Sequence, residues 1–446
     1  MKGVKLTGVM TREERQEFGK SRREVVHRVD QALWVPLATR RDPIDIINSV
    51  NATRVQDLVP IKMGRMAVSP FNFFRGAAPV MAADLATMPV TGVQVQMCGD
   101  AHVRNLGAFA APDGHLMFDL NDFDETFPGP WEWDLKRLAT SLVLAGNEAG
   151  GNHGDCKDAV EALASSYREA MDIFAEMTMI DLARFEVRRH TQVSLIRSIL
   201  GKAERVTPKV TLEKLTCPAK GGLRRFHEHP PLLHHIPEPE EKSVLASLGP
   251  YRETISPDRQ RVLDAYHPAD VAFKVVGTGS VGTHVYVVLC FGNGLEDPLF
   301  IQVKEEPPSC YAPYLPDVPP FPHQGRRVAE GQRLMQTVSD PFLGWTSIDG
   351  RDYLVRQLAD HKATVDPAEL QGATLIEFGL VCGKILAKAH ARTGDAVEIS
   401  AYCGKADKVD KALAQFATAY ARQSSRDHEA LVKAIKEGRV KARHQI

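Results

Sequence analysis

Between Cys98 and Glu125 the chain concentrates side chains able to handle phosphate and metal. Gly99-Asp100-x-His102-x-x-Asn105 follows directly on the alternating stretch Val93-Gln-Val-Gln-Met. Phosphoryl transfer needs a carboxylate that accepts the proton of an attacking hydroxyl, and a nearby amide or carboxylate oxygen that holds magnesium. Asp100 and Asn105 have the identities and the separation for those two tasks, and His102 stands between them. Farther on, Asp119, Asp122, Asp124 and Glu125 put four acids within seven residues, behind the short run Leu116-Met-Phe. Such a cluster repels itself unless a cation or basic groups neutralise it. Phe118, Leu120 and Phe123 alternate with the acids and imply partial burial, which sharpens that need. The candidate magnesium ligands are therefore Asn105 and carboxylates of this acidic turn.

A second set lies far downstream. Gly277-x-Gly279-Ser280-x-Gly282 separates VAFKVV from THVYVVLCFG, and Lys304 ends the run Leu299-Phe-Ile-Gln-Val-Lys. A glycine-rich hairpin lets backbone amides approach phosphate, and a lysine on a strand adds a fixed positive charge. A dinucleotide-binding turn would need a helix straight after the glycines, whereas the residues that follow are β-branched and aromatic. Glu330, on the next helical segment, is the expected ion-pair partner of Lys304, with Glu305 and Glu306 also near. These parts stand in an order opposite to that of ordinary kinases, where the glycine loop and lysine precede the catalytic and metal loops. Circular permutation accounts for it. A helix ending Leu386-Ala-Lys-Ala-His-Ala-Arg, joined to Val93, would restore the usual order.

The elements that must position these groups follow from periodicity and breakers. Two strands, at 93–97 and 116–118, carry the first set, and three strands in 270–304 carry the second. Residues 134–200 have helical apolar spacing, as do 326–338, 373–392 and 407–436, and 353–358 is a strand. The segment 60–76, rich in Phe and Met around Arg65 and Arg75, is expected as a loop folded onto a core or a site. Residues 201–250 are expected as an irregular connector or lid; their histidines lack the i, i+4 spacing that converges on one ion. The domain division is 1–92 (helical arm and aromatic loop), 93–265 (catalytic and metal loops), 266–360 (glycine-loop sheet) and 361–446 (C-terminal helices).

Composition narrows the partners. Fifty-five basic against 56 acidic residues give a net charge of −1, so no global basic field draws the chain to nucleic acid or an anionic membrane. No run of 18 apolar residues exists, and the first residues lack a signal-peptide core. The seven cysteines form no C-x-x-C pair and suit reduced thiols. A cytoplasmic protein is expected.

The longer motifs SPFNFFRGAA, CGDAHVRNLG, FDLNDFDETFPGPWEWDLKRLA, VVGTGSVGTHVYVVL, QVKEE, RVAEGQRLMQ and YLVRQLADHK resemble the bacterial family called domain of unknown function 2252, from about Arg54 to Arg439. That family is similar to aminoglycoside phosphotransferases and, more distantly, to protein kinases. The resemblance implies an α+β, protein-kinase-like two-lobe fold, circularly permuted, with ATP and magnesium as cofactors. The phosphotransferase motif H-G-D-x-H-x-x-N matches Cys98 to Asn105, with Cys98 replacing a supporting histidine. Their metal-binding aspartate matches Asp119 by spacing from Asn105, or Asp122 by spacing to Trp133-Asp134-Leu. The expected activity is phosphoryl transfer from ATP to a small-molecule or protein hydroxyl. The alternatives are nucleotidyl (AMP) transfer on the same scaffold, a non-catalytic nucleotide-binding module, and a metal-dependent phosphoesterase built on Asp100, His102 and the 119–125 acids.

Overall fold

The computed structural model describes residues 10–186, 193–219, 222–358 and 361–443. The chain opens with helices. α1 (Arg12–Val25) starts in a capping box between Thr11 and Glu14, and α2 (Pro43–Asn51) is capped by Asp42. The stretch expected as a loop, 60–76, instead folds as two short helices, α3 (Val59–Met66) and α4 (Pro70–Gly76), and a third, α5 (Ala78–Leu85), follows. Each carries proline in its first turn, where a missing N–H leaves no bond unmade. At about two turns apiece they are too short to show helical periodicity in sequence.

β1 (Gln94–Met97) pairs antiparallel with β4 (Phe127–Pro130), and between them β2 (Leu106–Ala110) pairs with β3 (Leu116–Leu120). The first acidic set thus sits on the rims of two small ladders. α6 (Trp131–Glu148), α7 (His153–Glu176), α8 (Met179–Ala183), α9 (Ser194–Glu204) and α10 (Pro208–Leu215) follow. β5 (Thr216–Pro218) pairs with β6 (Arg224–Phe226), and β7 (Leu233–His235) precedes α11 (Glu238–Arg252) and α12 (Pro257–Leu263). The expected irregular connector is therefore largely ordered.

The strands expected around the glycine motif are β8 (His267–Lys274), β9 (Val285–Phe291) and β10 (Pro298–Glu305). α13 (Gln324–Met335), β11 (Gly344–Ile348) and β12 (Arg351–Gln357) complete this region. All six strands join one antiparallel sheet in the order β11-β12-β10-β9-β8-β7. β13 (Ala363–Thr364) then crosses to the other half of the molecule and pairs with β2. α14 (Gly372–Thr393), α15 (Ala396–Cys403) and α16 (Lys408–Lys436) end the chain.

The architecture is α+β with antiparallel sheets. One large apolar core joins α6, α7, α14 and α16 to the β1–β4 ladders, and a second fills the six-stranded sheet. Every residue of α6 from Trp131 to Gly146 is buried, which makes that helix the axis of the helical body. None of the seven cysteines is in a disulfide. Among the described residues, no helix is long and apolar enough to cross a membrane.

Candidate active site

The loop after β1 hangs from α6. Asp134, fully buried, accepts hydrogen bonds from the backbone N–H of Cys98 (2.7 Å) and of Gly99 (2.9 Å). His390 of α14 backs the same carboxylate at 3.3 Å and is itself held by the Tyr167 hydroxyl. Gly99 has φ +81°, and a Cβ there would lie 2.2 Å from the Glu125 carbonyl oxygen. A side chain is excluded on both counts, so Gly99 lets the catalytic and acidic loops touch.

Asp100 emerges from this loop beside Arg137, a fully buried α6 residue whose Nε donates to Asp100 Oδ1 at 2.7 Å. Arg137 also donates to the Phe74 carbonyl at 3.0 Å and lies 4.3 Å above the Phe74 ring. Asp100 Oδ2, 3.7 Å from His102 Nε2, is left for the cavity. Burial raises the Asp100 carboxyl above its ordinary range despite Arg137. Burial, with Arg75 and Arg137, pushes His102 well down, so its imidazole stays neutral. Asn105 donates its amide to the Asp100 carbonyl at 2.8 Å, which turns its side-chain oxygen away from that bond.

The acidic turn divides by side. Asp119 lies in β3, where it pairs with Lys388 of α14 and accepts from the Leu120 N–H at 2.9 Å. Both partners are almost inaccessible, and Asp119 does not line the cavity. Asp122 and Asp124 do. Asp124 Oδ2 is bonded to Lys304 and to the Ser280 hydroxyl at 3.0 Å, across 180 residues of sequence in the first case. The remaining Oδ1 of Asp124 and Oδ1 of Asp122 are buried without a hydrogen-bond partner. Burial and the neighbouring Asp124 push Asp122 up to about 6. Burial works the same way on Asp124, but Lys304 and Arg356 overcome it and hold that carboxyl well below the usual range.

Lys304 therefore has a partner, and it is not the expected one. Its ammonium meets Asp124, with Glu306 at 3.7 Å, whereas Glu330 bonds Arg326 at 2.8 Å on the outer side of α13. The buried side of α13 is occupied instead by Arg327, Val328, Gly331, Gln332 and Met335. Burial would lower Lys304, but the three acids around it, Asp124 foremost, hold it above its ordinary value.

The glycine loop closes the cavity from above. Gly277, Gly279 and Ser280 line it. Gly282 does not; it packs against Arg54, which a Cβ on Gly282 would approach to 3.0 Å. The loop is gripped from outside by residues that motif reasoning did not single out. Arg54 donates to the Val281 carbonyl at 2.6 Å, the Val55 N–H donates to Gly282 at 2.8 Å, and Arg65 donates to the Gly277 carbonyl. Lys62, 2% exposed, reaches the same cavity and donates to Asn51 at 2.9 Å. The only sequence signal for this wall was the density of basic residues in 54–75.

Asp100, His102, Asn105, Asp122, Gly277, Gly279, Ser280 and Lys304 thus share one cavity of about 90 Å³, which Asp119, Gly282 and Glu330 do not line. Among the described residues, no three His, Cys, Asp or Glu side chains are gathered closely enough to hold a metal alone. Magnesium does not need them, since it commonly takes one or two carboxylates and completes its shell with phosphate oxygens and water. The bare oxygens of Asp122 and Asp124, beside Asn105, fit that requirement.

No curated protein and no solved structure matches the chain. A family model described as an uncharacterized protein conserved in bacteria, domain of unknown function 2252, matches residues 54–434, and the chain belongs to that family.

Proposed function

We propose that this cavity binds the metal-complexed phosphates of ATP and that the protein is a kinase-like phosphotransferase acting on the hydroxyl of a small molecule or protein. The observation that carries the reading is convergence. A glycine turn and lysine from one sheet meet Asp100, Asn105, Asp122 and Asp124 from a distant part of the chain, in one cavity. The permuted order fits too. Thr393, at the end of α14, accepts from the Gln96 N–H of β1 at 3.2 Å, so a chain joined there would need little extra length.

Each group has a task in this reading. Lys304 and the amides of 277–280 neutralise phosphate oxygens. Asp100, held in one orientation by Arg137, accepts a hydrogen bond from the acceptor hydroxyl through Oδ2 and takes up its proton. Bound magnesium, held by Asp122, Asp124 and the Asn105 side-chain oxygen, would offset the negative charge of the phosphates. The glycine loop, closed onto Asp124 through Ser280, must lift to admit the triphosphate into so small a space.

A melting-temperature shift with ATP tests the binding, because a ligand that binds the native state stabilises it by an amount that grows with the logarithm of its concentration over its dissociation constant. The shift should be positive with magnesium and small with a chelator. An equal shift in both would count against the site as drawn. Labelled ATP incubated with cell extract then identifies what gains phosphate; transfer of AMP instead would replace this reading by nucleotidyl transfer.

A further inference from the structure

Behind Asp122 lies a second, larger cavity of about 230 Å³, walled by the β2–β3 hairpin, α13 and β12. Its polar lining is cationic and amide-rich: Arg356, Lys362, Gln332, Gln336, Gln357 and Asn121. Arg356 is fixed by sheet register, since it stands opposite Gln302 and its Nε donates to the Gln302 side chain at 2.9 Å. Lys362 is fixed by the next residue, because Ala363 pairs with Ala108 in the β13–β2 ladder.

Among the described residues, neither Arg356 nor Lys362 is in a salt bridge; Asp122 and Asp124 attract Arg356, and Asp340 and Asp122 attract Lys362, without direct contact. Among the described residues, the one acid in the lining is already engaged. Asp340 accepts the Phe342 N–H at 2.8 Å through one oxygen and the Gln357 N–H at 2.6 Å through the other. Burial, with Arg356 beside it, pulls Lys362 down to about 7. Two positive groups confined in one cavity, ringed by neutral amide donors, are relieved by an anion. A planar guanidinium fork and a point-like ammonium together suit the oxygens of a phosphate.

We propose that this second cavity is an anion subsite for a phosphate or pyrophosphate group, a role that stands whether or not the first cavity takes a nucleotide. That group has two sources, the far phosphates of a nucleotide lying across Asp122 or a separate phosphorylated molecule.

The test is calorimetric titration of the full chain with inorganic pyrophosphate in the presence of a chelator. Saturable binding is expected, weakened about tenfold or more in Lys362→Met and in Arg356→Gln, as loss of a charged hydrogen bond implies. Lys209→Met, which removes an exposed lysine paired with Glu296, should leave it unchanged. Melting temperatures of the variants verify that they fold. The proposal fails if wild type binds no pyrophosphate, or if Lys209→Met loses as much as Lys362→Met. It fails equally if Lys304→Met abolishes binding while Lys362→Met retains it, since the anion then sits in the first cavity. Competition assigns the source: pyrophosphate that excludes ATP with magnesium occupies the nucleotide's own phosphate position, and simultaneous binding points to a separate molecule.

Discussion

Arg137 determines what Asp100 is able to do. One carboxylate oxygen is committed to a guanidinium with no exposure, so the acid is oriented as well as charged. In Asp100→Asn the charge is lost and the size kept. Turnover is expected to fall about 10²–10⁴-fold, the usual contribution of a general base, with ATP affinity largely retained. Steady-state kinetics beside a binding titration would read both, and full activity of this variant would remove Asp100 from the base role. Arg137→Met should cost about 3–5 kcal/mol of stability, because it strands a buried carboxylate. Adding Asp100→Asn to it should return part of that loss. Urea unfolding of both single variants and the double variant closes the cycle.

Residue-level signals in the sequence had uneven reach. The run from Gly99 to Asn105 was legible because each residue type is chemically demanding at its place. The choice between Asp119 and Asp122 was not, since two spacings gave opposite answers. Lys388, 269 positions away, occupies Asp119 and leaves Asp122 as the one that faces the cavity. Glu330 was misplaced for a related reason: periodicity locates α13 but does not say which side of it faces Lys304. Arg327, fully buried and bonded to the carbonyls of Asp124 and Thr126, holds the side turned to the acidic loop.

Among the elements, α14 and α7 pack backbone to backbone at two glycines. A Cβ on Gly383 would lie 2.2 Å from the Leu163 carbonyl oxygen, and one on Gly379 2.5 Å from that of Ala159. Alanine would gain about 1 kcal/mol of helix propensity at either position. The backbone clash outweighs it, and Gly383→Ala should lose about 1–3 kcal/mol through forced separation of the helices. Within α6, Lys136 is 2% exposed and lies 4.9 Å from the Phe416 ring. Burial lowers it to about 8, against a small opposing effect of Glu132. Its native pKa lies below its unfolded value, so the unfolded chain holds the extra proton between the two. Stability should therefore rise with pH over that interval, by about 3 kcal/mol at most. Lys136→Met lacks that increment, and the gap between variant and wild-type urea midpoints should shrink from pH 7.5 to pH 9.5.

Long helices and β-branched strands were the readable elements, because their patterns repeat several times. The helices of 59–85 and the short strands of 216–235 are too brief to repeat. β7 earns its place by adding to the edge of a sheet whose other strands come later, with Leu233 opposite Lys274, and a window over 201–250 contains no trace of that partner.

For the molecule as a whole, the cavity is a meeting place of three stretches: 50–79, 100–125 and 277–307. The motifs of the last two were visible in the sequence, and both line this cavity. The contribution of the first was only half visible, since Phe and Met around Arg65 and Arg75 describe a packed core as well as a site. Lys304→Ala is expected to weaken ATP binding as well as rate, because it removes a phosphate contact present before the transition state. An unaltered dissociation constant would place the phosphates elsewhere.

The grip of Arg54 and Arg65 on the glycine loop has a consequence in time. If the loop must let go before a nucleotide seats, the observed association rate will climb with ATP concentration only until it meets the opening rate, and then level off. Arg65→Ala loosens the latch at Gly277 without touching the phosphate-facing groups. The plateau should move to a faster rate in that variant, and stopped-flow traces over a range of ATP concentrations would display it. A strictly linear dependence in the wild type would mean that the doorway stands open and that the two arginines merely decorate its frame.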